Sequence, residues 1–405
     1  MFKDKSVVLA VTGGIAAYKS AELARMFMTE GAAVRVVMTK SAGRFITPLT
    51  FQTLTSSPVV DDMWESNTPL EIGHISLADW ADVVVIAPAT ANIIGKIAGG
   101  IADDFLSTFL VAVRAPVVIC PAMNVNMYSN AIVQENLAKL KSHDYQIVDP
   151  GIGLMACGTE GQGRLPELEF IIEETRSALT KQDMAGLKVV VSSGPTREKW
   201  DDIRFLSNLS SGKMGTAVAK NARTRGAEVV LVTGPTALPD PYGIETVKIE
   251  STLDLKKAVF DCLDWMDVLV MAAAPMDFRP AKQFKGKVKK STDLPSIQLT
   301  LNEDFFVELG QNKGNRILVG FAAEAENLID YAKGKLKGKN MDLIVANQIG
   351  APGVAFATET NQVTMIAREG NIEESPLLSK DEVAGLIWDR VVPLIKPGKA
   401  KARKK

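Results

Sequence analysis

A recurring run of β-branched residues, each answered by a helix-length amphipathic stretch, constrains this chain more than any other feature. Val7–Val11, Val34–Met38, Val83–Ala87 and Val117–Cys120 are such runs, with Ala16–Thr29, Asn92–Ala98 and Ala131–Lys141 as helical counterparts. Unbroken β-branched runs belong to strands buried on both faces, and so to a parallel sheet covered by helices. Alternation with helices predicts a doubly wound α/β layout. The pattern restarts at Leu187–Val191, with strands at Glu228–Val232, Val268–Met271, Ile317–Gly320 and Leu343–Ala346. Lys213–Arg225, Thr252–Leu263, Leu328–Leu336 and Asp381–Ile395 read as its helices. Pro166–Gln182 reads as the last helix of the first half, and Asp183-Met184-Ala185-Gly186 breaks the pattern. A length of 405 residues suits two cores. The expectation is therefore two α/β domains, 1–186 and 187–405, each doubly wound around a mainly parallel, Rossmann-like sheet.

Bulk properties narrow the function classes. A composition of 46% hydrophobic and 23% charged residues reads as soluble and globular. A net charge of −1 gives no global field toward nucleic acid or an anionic membrane. No secretory leader is visible, because Lys3 and Lys5 lead directly into a strand, and no apolar stretch reaches the roughly 18 residues of a span. Three cysteines, Cys120, Cys157 and Cys262, are too scattered for a disulfide framework, and two histidines leave no zinc-type spacing. A cytoplasmic protein is expected. The basic tail Lys396–Lys405 reads as a solubilising end rather than a nucleic-acid arm.

In a doubly wound sheet the ligand sits beyond the carboxyl ends of the strands. There the first half places Gly13-Gly14, ahead of a helix. The pair fits a mononucleotide phosphate or simply a tight βα turn, and it lacks the G-x-G-x-x-G dinucleotide spacing. Ser41, with Thr39, stands beyond the second strand as a further phosphate donor. Pro88-Ala89-Thr90-Ala91-Asn92 and Pro121-Ala122-Met123-Asn124 leave the next two strands, and a glycine-rich loop, Ala156–Arg164, carries Cys157. Such segments suit a flat, partly apolar cofactor held by a few amides. His74, at the start of a helix, is either structural or a base near neutral pH. His143 reads as surface, and Cys120 and Cys262 as core.

The second half follows its first strand with Ser193-Gly194-Pro195-Thr196-Arg197, then Asn208 and Ser210-Ser211-Gly212-Lys213-Met214-Gly215 at a helix start. These residues suit a polyphosphate or a plain helix cap, and they are not a P-loop. Met271-Ala272-Ala273 ends a strand in small side chains before Asp277, and Lys287-Val288-Lys289-Lys290 comes next. The lysine run is either a solvated loop or a charge clamp for a triphosphate. Lys335 and Lys339 are expected on one helix face.

Taken together, Gly13–Ala16, the His74 segment, Pro121–Met127 and Ala156-Cys157-Gly158 resemble the flavin-containing cysteine decarboxylases, with Tyr128 where that family often has Trp. The resemblance implies a flavodoxin-like first domain holding FMN. Gly13, Gly14, Ser41, Pro88, Ala89, Thr90 and Asn92 would bind it. FMN would oxidise a cysteinyl thiol to a thioaldehyde, carbon dioxide would leave, and the ene-thiolate would be reduced again. His74 would be the base, Asn124 the carboxylate holder and Cys157 the proton donor. The second motif set resembles the phosphopantothenate–cysteine ligases, and the two sets in this order resemble their fusion in bacteria. This implies a two-step ligation of 4′-phosphopantothenate to L-cysteine through an acyl-cytidylate, using CTP and magnesium. Asn208 would stabilise the acyl-cytidylate and Lys287 support the second step. Met271, Ala272, Ala273, Asp277, Glu303, Asp304, Phe305, Phe306, Phe321, Lys335 and Lys339 would hold CTP. A homo-oligomer is implied, trimeric or dodecameric through the first half and dimeric through the second. The competing readings are a relative of the prenyl-FMN transferases fused to a ligase, and a flavin-binding regulatory subunit without activity. The basic C-terminus and the motifs of the second half argue against the latter.

Overall fold

A computed structural model describes residues 2–61, 73–154, 158–289, 296–324, 327–348 and 358–395. It divides into two compact units, Met1–Lys181 and Gln182–Lys405. Met184 is fully buried in the core of the second unit, and Asp183 pairs with Arg225 there, so the segment that breaks the sequence pattern folds as part of the second unit.

In the first unit the strands are β1 (Ser6–Val11), β2 (Ala33–Met38), β3 (Val59–Val60), β4 (Val83–Ala89), β5 (Val117–Pro121) and β6 (Gln146–Ile147). They form one sheet in the order β3-β2-β1-β4-β5-β6, with every pairing parallel. Without the two-residue edge strand β3 the order is that of a flavodoxin-like sheet. Alternate residues face opposite sides. Val8, Ala10, Val84 and Ile86 pack with Ile93, Phe109 and Leu140 from helices Ala91–Gly99, Phe105–Ala112 and Ala131–Ser142. The glycine-rich stretch is not a loop throughout: β7 (Gly151–Leu154) and β8 (Glu160–Arg164) pair antiparallel.

The second unit contains β9 (Lys188–Ser193), β10 (Arg197–Lys199), β11 (Phe205–Ser207), β12 (Glu228–Thr233), β13 (Glu245–Lys248) and β14 (Val268–Met271). It continues with β15 (Phe278–Pro280), β16 (Leu299–Leu301), β17 (Ile317–Glu324), β18 (Leu343–Gln348), β19 (Thr360–Asn361), β20 (Thr364–Ala367), β21 (Ile372–Glu374) and β22 (Leu378–Ser379). The main sheet runs β13-β12-β9-β14-β17-β18-β20-β21. Its first six members are parallel, and β20 and β21 extend it antiparallel. Val189 and Val191 face helices Lys213–Thr224 and Lys380–Val391, whose Trp388 is fully buried and donates its indole N–H to the Val218 carbonyl at 3.0 Å. Val190 faces the opposite core, with Leu255, Val259 and Leu336. Short hairpins β10–β11 and β15–β16 stand apart from the sheet. No helix among the described residues is long and apolar enough to cross a membrane.

Candidate functional site

Each sheet reverses its winding between its first strand and that strand's later neighbour, and a crevice opens there beyond the strand ends. In the first unit this point lies between β1 and β4. Thr12, almost fully buried after β1, stitches the two loops together. Its hydroxyl donates to the Pro88 carbonyl at 2.7 Å and accepts the Thr90 N–H at 3.1 Å. Ser20 adds a bond to the Ala87 carbonyl at 2.6 Å. A cavity of about 500 Å³ is lined here by Gly13, Gly14, Thr90, Asn124, Met127 and Arg164. A second one of about 630 Å³ shares Gly13, Thr90 and Met127 and adds Ser41, Asn92 and Lys96. Both volumes are those of small-molecule sites.

The two glycines differ in what they do. A Cβ on Gly13 would overlap the Ser41 Cβ and lie 2.9 Å from the Ser41 carbonyl carbon, so Gly13 lets two backbones touch. A Cβ on Gly14 would meet only the Thr90 methyl, at 3.7 Å, and would enter the cavity.

Asn124 caps the turn Val125–Tyr128, accepting the Asn126 N–H at 2.9 Å. The preceding Met123 N–H reaches the Gly163 carbonyl of β8 at 2.9 Å, which docks the hairpin on the asparagine segment. His74 is the second residue of helix Gly73–Trp80, its ring edge-on to Phe105 at 6.4 Å, and Phe105 lines the larger cavity. Lys96 bridges Asp103 at 2.6 Å and Asp104 at 2.7 Å at the cavity wall. These hydrogen bonds raise the Lys96 ammonium above its usual range. For Asp104, burial pushes upward, but Lys96 and the Ser107 donors outweigh it and hold the carboxyl below its ordinary range.

In the second unit the reversal lies between β9 and β14. Gly194, at φ +73°, turns the chain out of β9, and Ser193 donates to the Gly212 carbonyl at 2.7 Å. Ser192 accepts the Ala273 N–H at 3.1 Å, and the buried Thr196 accepts the Met276 N–H at 3.0 Å. Asn208, just after β11, donates its amide to the carbonyls of Pro275 at 2.9 Å and Ala274 at 3.3 Å. Asn302 fastens the same loop by donating to Asp277 and Met276, both at 2.8 Å. The exposed Lys287 lies beyond β15.

The first unit, residues 1–180, matches the family described as Flavoprotein, and residues 184–394 match the DNA/pantothenate metabolism flavoprotein C-terminal domain. The chain is 43% identical over 400 residues to the coenzyme A biosynthesis bifunctional protein CoaBC of Bacillus subtilis, covering 98% of both. With its counterpart from Vibrio cholerae it shares 40% over 386 residues, 95% of this chain and 96% of the relative. This chain belongs to the family of coenzyme A biosynthesis bifunctional proteins. A solved C-terminal domain of a CoaBC protein is 39% identical and covers 53% of this chain and 98% of its own length, at a TM-score of 0.46.

Within this bifunctional framework, Gly13, Gly14, Ser41, Thr90, Asn92 and Asn124 line the paired cavities. Pro88 and Ala89, expected with them, stand at the floor of the crevice. Both are buried, and their carbonyls are taken by Thr12 and by the Ala122 N–H, so they form the wall beneath the crevice. Cys157 lies outside the described residues, as does Lys290. In the second unit Asn208, Met271, Ala272, Ala273 and Asp277 converge on one loop. The rings of Phe305 and Phe306 are core, at 4% and 5% exposure, so the turn Glu303–Phe306 offers a ligand their backbone rather than their side chains. Phe321 is partly buried against the core of the opposite face. Lys335 and Lys339 do not form one helical pair. The helix ends at Gly338, Lys335 binds Glu324 at 2.6 Å, and Lys339 binds Asp304 at 2.7 Å. Glu303 pairs with Lys256 at 3.0 Å.

Sequence reasoning passed over Thr12, Lys96 and Asn302, and took Thr196 only as part of the Ser193–Arg197 segment, not as the acceptor that holds the Met276 N–H. Asp104 with Ser107 three residues later is a readable capping signal that would have drawn attention to the Lys96 contact. The others are single polar residues inside apolar runs or loops and carry no local pattern.

Proposed function

We propose that this chain performs two consecutive steps of coenzyme A biosynthesis. The second unit joins 4′-phosphopantothenate to L-cysteine with CTP, and the first decarboxylates the product to 4′-phosphopantetheine. What supports the reading is the family match along nearly the whole chain, with Gly13, Gly14, Ser41, Thr90, Asn92 and Asn124 lining cavities of the first unit and Asn208 bonded to the loop after β14 in the second.

The first crevice fits FMN: a glycine whose Cβ would intrude faces it, and hydroxyls and amides of Ser41, Thr90 and Asn92 line it. When bound, FMN supplies the two-electron oxidation of the substrate's thiol-bearing carbon and the later reduction. Asn124 would hold the carboxylate that leaves as carbon dioxide, His74 would take up a proton and Cys157 would return one.

In the second crevice the phosphopantothenate carboxylate attacks the α-phosphate of CTP, forming an acyl-cytidylate and releasing pyrophosphate. The cysteine amine then forms the amide and CMP leaves. Asn208 would hold the acyl-cytidylate and Lys287 would offset charge on the departing phosphate. Met271–Ala273, Asp277, the Glu303–Asp304 turn and Phe321 would hold the nucleotide. Its phosphates would draw Lys335 and Lys339 away from Glu324 and Asp304. Magnesium would travel on the triphosphate, as it does in most nucleotidyl activations. A cytoplasmic homo-oligomer completes the reading, trimeric or dodecameric through the first unit and dimeric through the second.

The test is direct. The purified chain should be yellow and, given phosphopantothenate, cysteine, magnesium and CTP, should release CMP, pyrophosphate and carbon dioxide. CMP without carbon dioxide would remove the roles of His74 and Cys157; a colourless, inert protein would overturn the reading.

A further inference from the structure

The lysine-bearing loop of the second unit is held from beneath by an acidic turn that has no part in the chemistry described so far. Asp201 lies just beyond β10 and is fully buried. One carboxylate oxygen accepts the N–H of Ile203 at 2.8 Å and of Arg204 at 2.7 Å; the other accepts the Val288 N–H at 3.1 Å. Asp202, exposed beside it, accepts the Gly286 N–H at 2.6 Å. Lys287 thus sits between two residues whose amides are each fastened to an adjacent aspartate. Two further bonds brace the contact: Phe284 N–H to the Trp200 carbonyl at 2.9 Å, and the Arg204 guanidinium to the Val288 carbonyl, also at 2.9 Å. Four residues past Arg204, beyond β11, the same turn delivers Asn208 to Ala274 and Pro275.

We propose that Asp201, with Asp202 beside it, is a positioning pair that fixes Lys287 relative to Asn208 for the second half of the ligation. This rests on the role of Lys287 in that step. Burying a carboxylate is costly unless its oxygens are satisfied, and here three backbone donors satisfy it. Burial alone would raise the Asp201 carboxyl, but those donors and Arg204 hold it below the ordinary range, so it is a fixed anion throughout the neutral region. A lysine on an exposed loop samples many positions, and a bracketed backbone on both sides removes that freedom where the reaction needs it.

The test compares D201N, D202N, K287Q and D201N/K287Q in the full chain. Pyrophosphate release reads the first step and CMP release the second. Asn at 201 keeps one acceptor but presents an NH₂ toward Val288 or toward the Ile203–Arg204 amides. D201N should release pyrophosphate at nearly the unaltered rate, slow CMP release by roughly tenfold or more, and let acyl-cytidylate accumulate. D202N should do the same to a smaller degree. If Asp201 acts through Lys287, the double variant should be no slower than K287Q, whereas a general structural role would make the losses multiply. Normal CMP release by K287Q would overturn the role of Lys287 and this proposal with it. A slow K287Q beside an unimpaired D201N, or multiplying losses, would overturn the positioning role alone. If D201N does not fold, D202N decides, and unaltered CMP release there overturns the pairing.

Discussion

At the scale of single residues, the first crevice separates a glycine that lets two backbones touch from one that lines the open cavity. Gly13→Ala drives a methyl into the Ser41 backbone, and overpacking of this kind costs about 1–3 kcal/mol. Gly14→Ala meets only a methyl at van der Waals distance. Thermal melts should therefore show G13A destabilised and G14A close to the unaltered protein. Flavin absorbance should nonetheless fall in G14A, because its methyl projects into the cavity. Asp104 gives a second residue-level expectation. Its folded pKa lies below that of the unfolded chain, so its contribution is present above the ordinary carboxylate range and is lost as pH falls through the depressed value. Urea midpoints measured from pH 7 toward pH 3 should fall less steeply for D104N, which should start lower at pH 7. Residues of this kind also mark the limit of the sequence. Gly13 and Gly14 are legible as a turn, but their different roles depend on Ser41 and Thr90, which lie far away along the chain.

At the scale of elements, legibility tracked how much pattern each element carried. Val7–Val11 and Val268–Met271 are continuous apolar runs and fold as strands within a residue or so of expectation. The hairpin β7–β8 has glycine at 151, 153, 161 and 163, which erases the alternation of a strand, so it reads as a loop. Hairpins β10–β11 and β15–β16 are three residues a side and too short for any period, yet β11 leads directly to Asn208. Helix ends carry their own signals. Ser379 accepts the Glu382 N–H, while Glu382 returns to the Ser379 N–H, a reciprocal cap that starts helix Lys380–Val391. Ser379→Ala should cost about 1 kcal/mol, read as a lowered denaturation midpoint with ligation rates unchanged.

At the scale of the whole molecule, both units reverse their winding at the same kind of point on a doubly wound sheet, and each has a core of its own. Trp388 fills the second unit's core without exposure, and its removal to Ala should cost about 3–5 kcal/mol. W388A should lose CTP-dependent amide formation on warming well before its yellow colour fades; simultaneous loss of both would count against separate cores. The two antiparallel strands that close the second sheet have a consequence of a different kind. A parallel sheet ending at the apolar β18 would offer a long row of open amides to any neighbouring chain. Here the last strand is β21, three residues long, carrying Glu373 and Glu374, with Glu373 pinned by Arg390 at 2.6 Å. So brief and acidic a margin makes a poor template for another chain's strand to stack on.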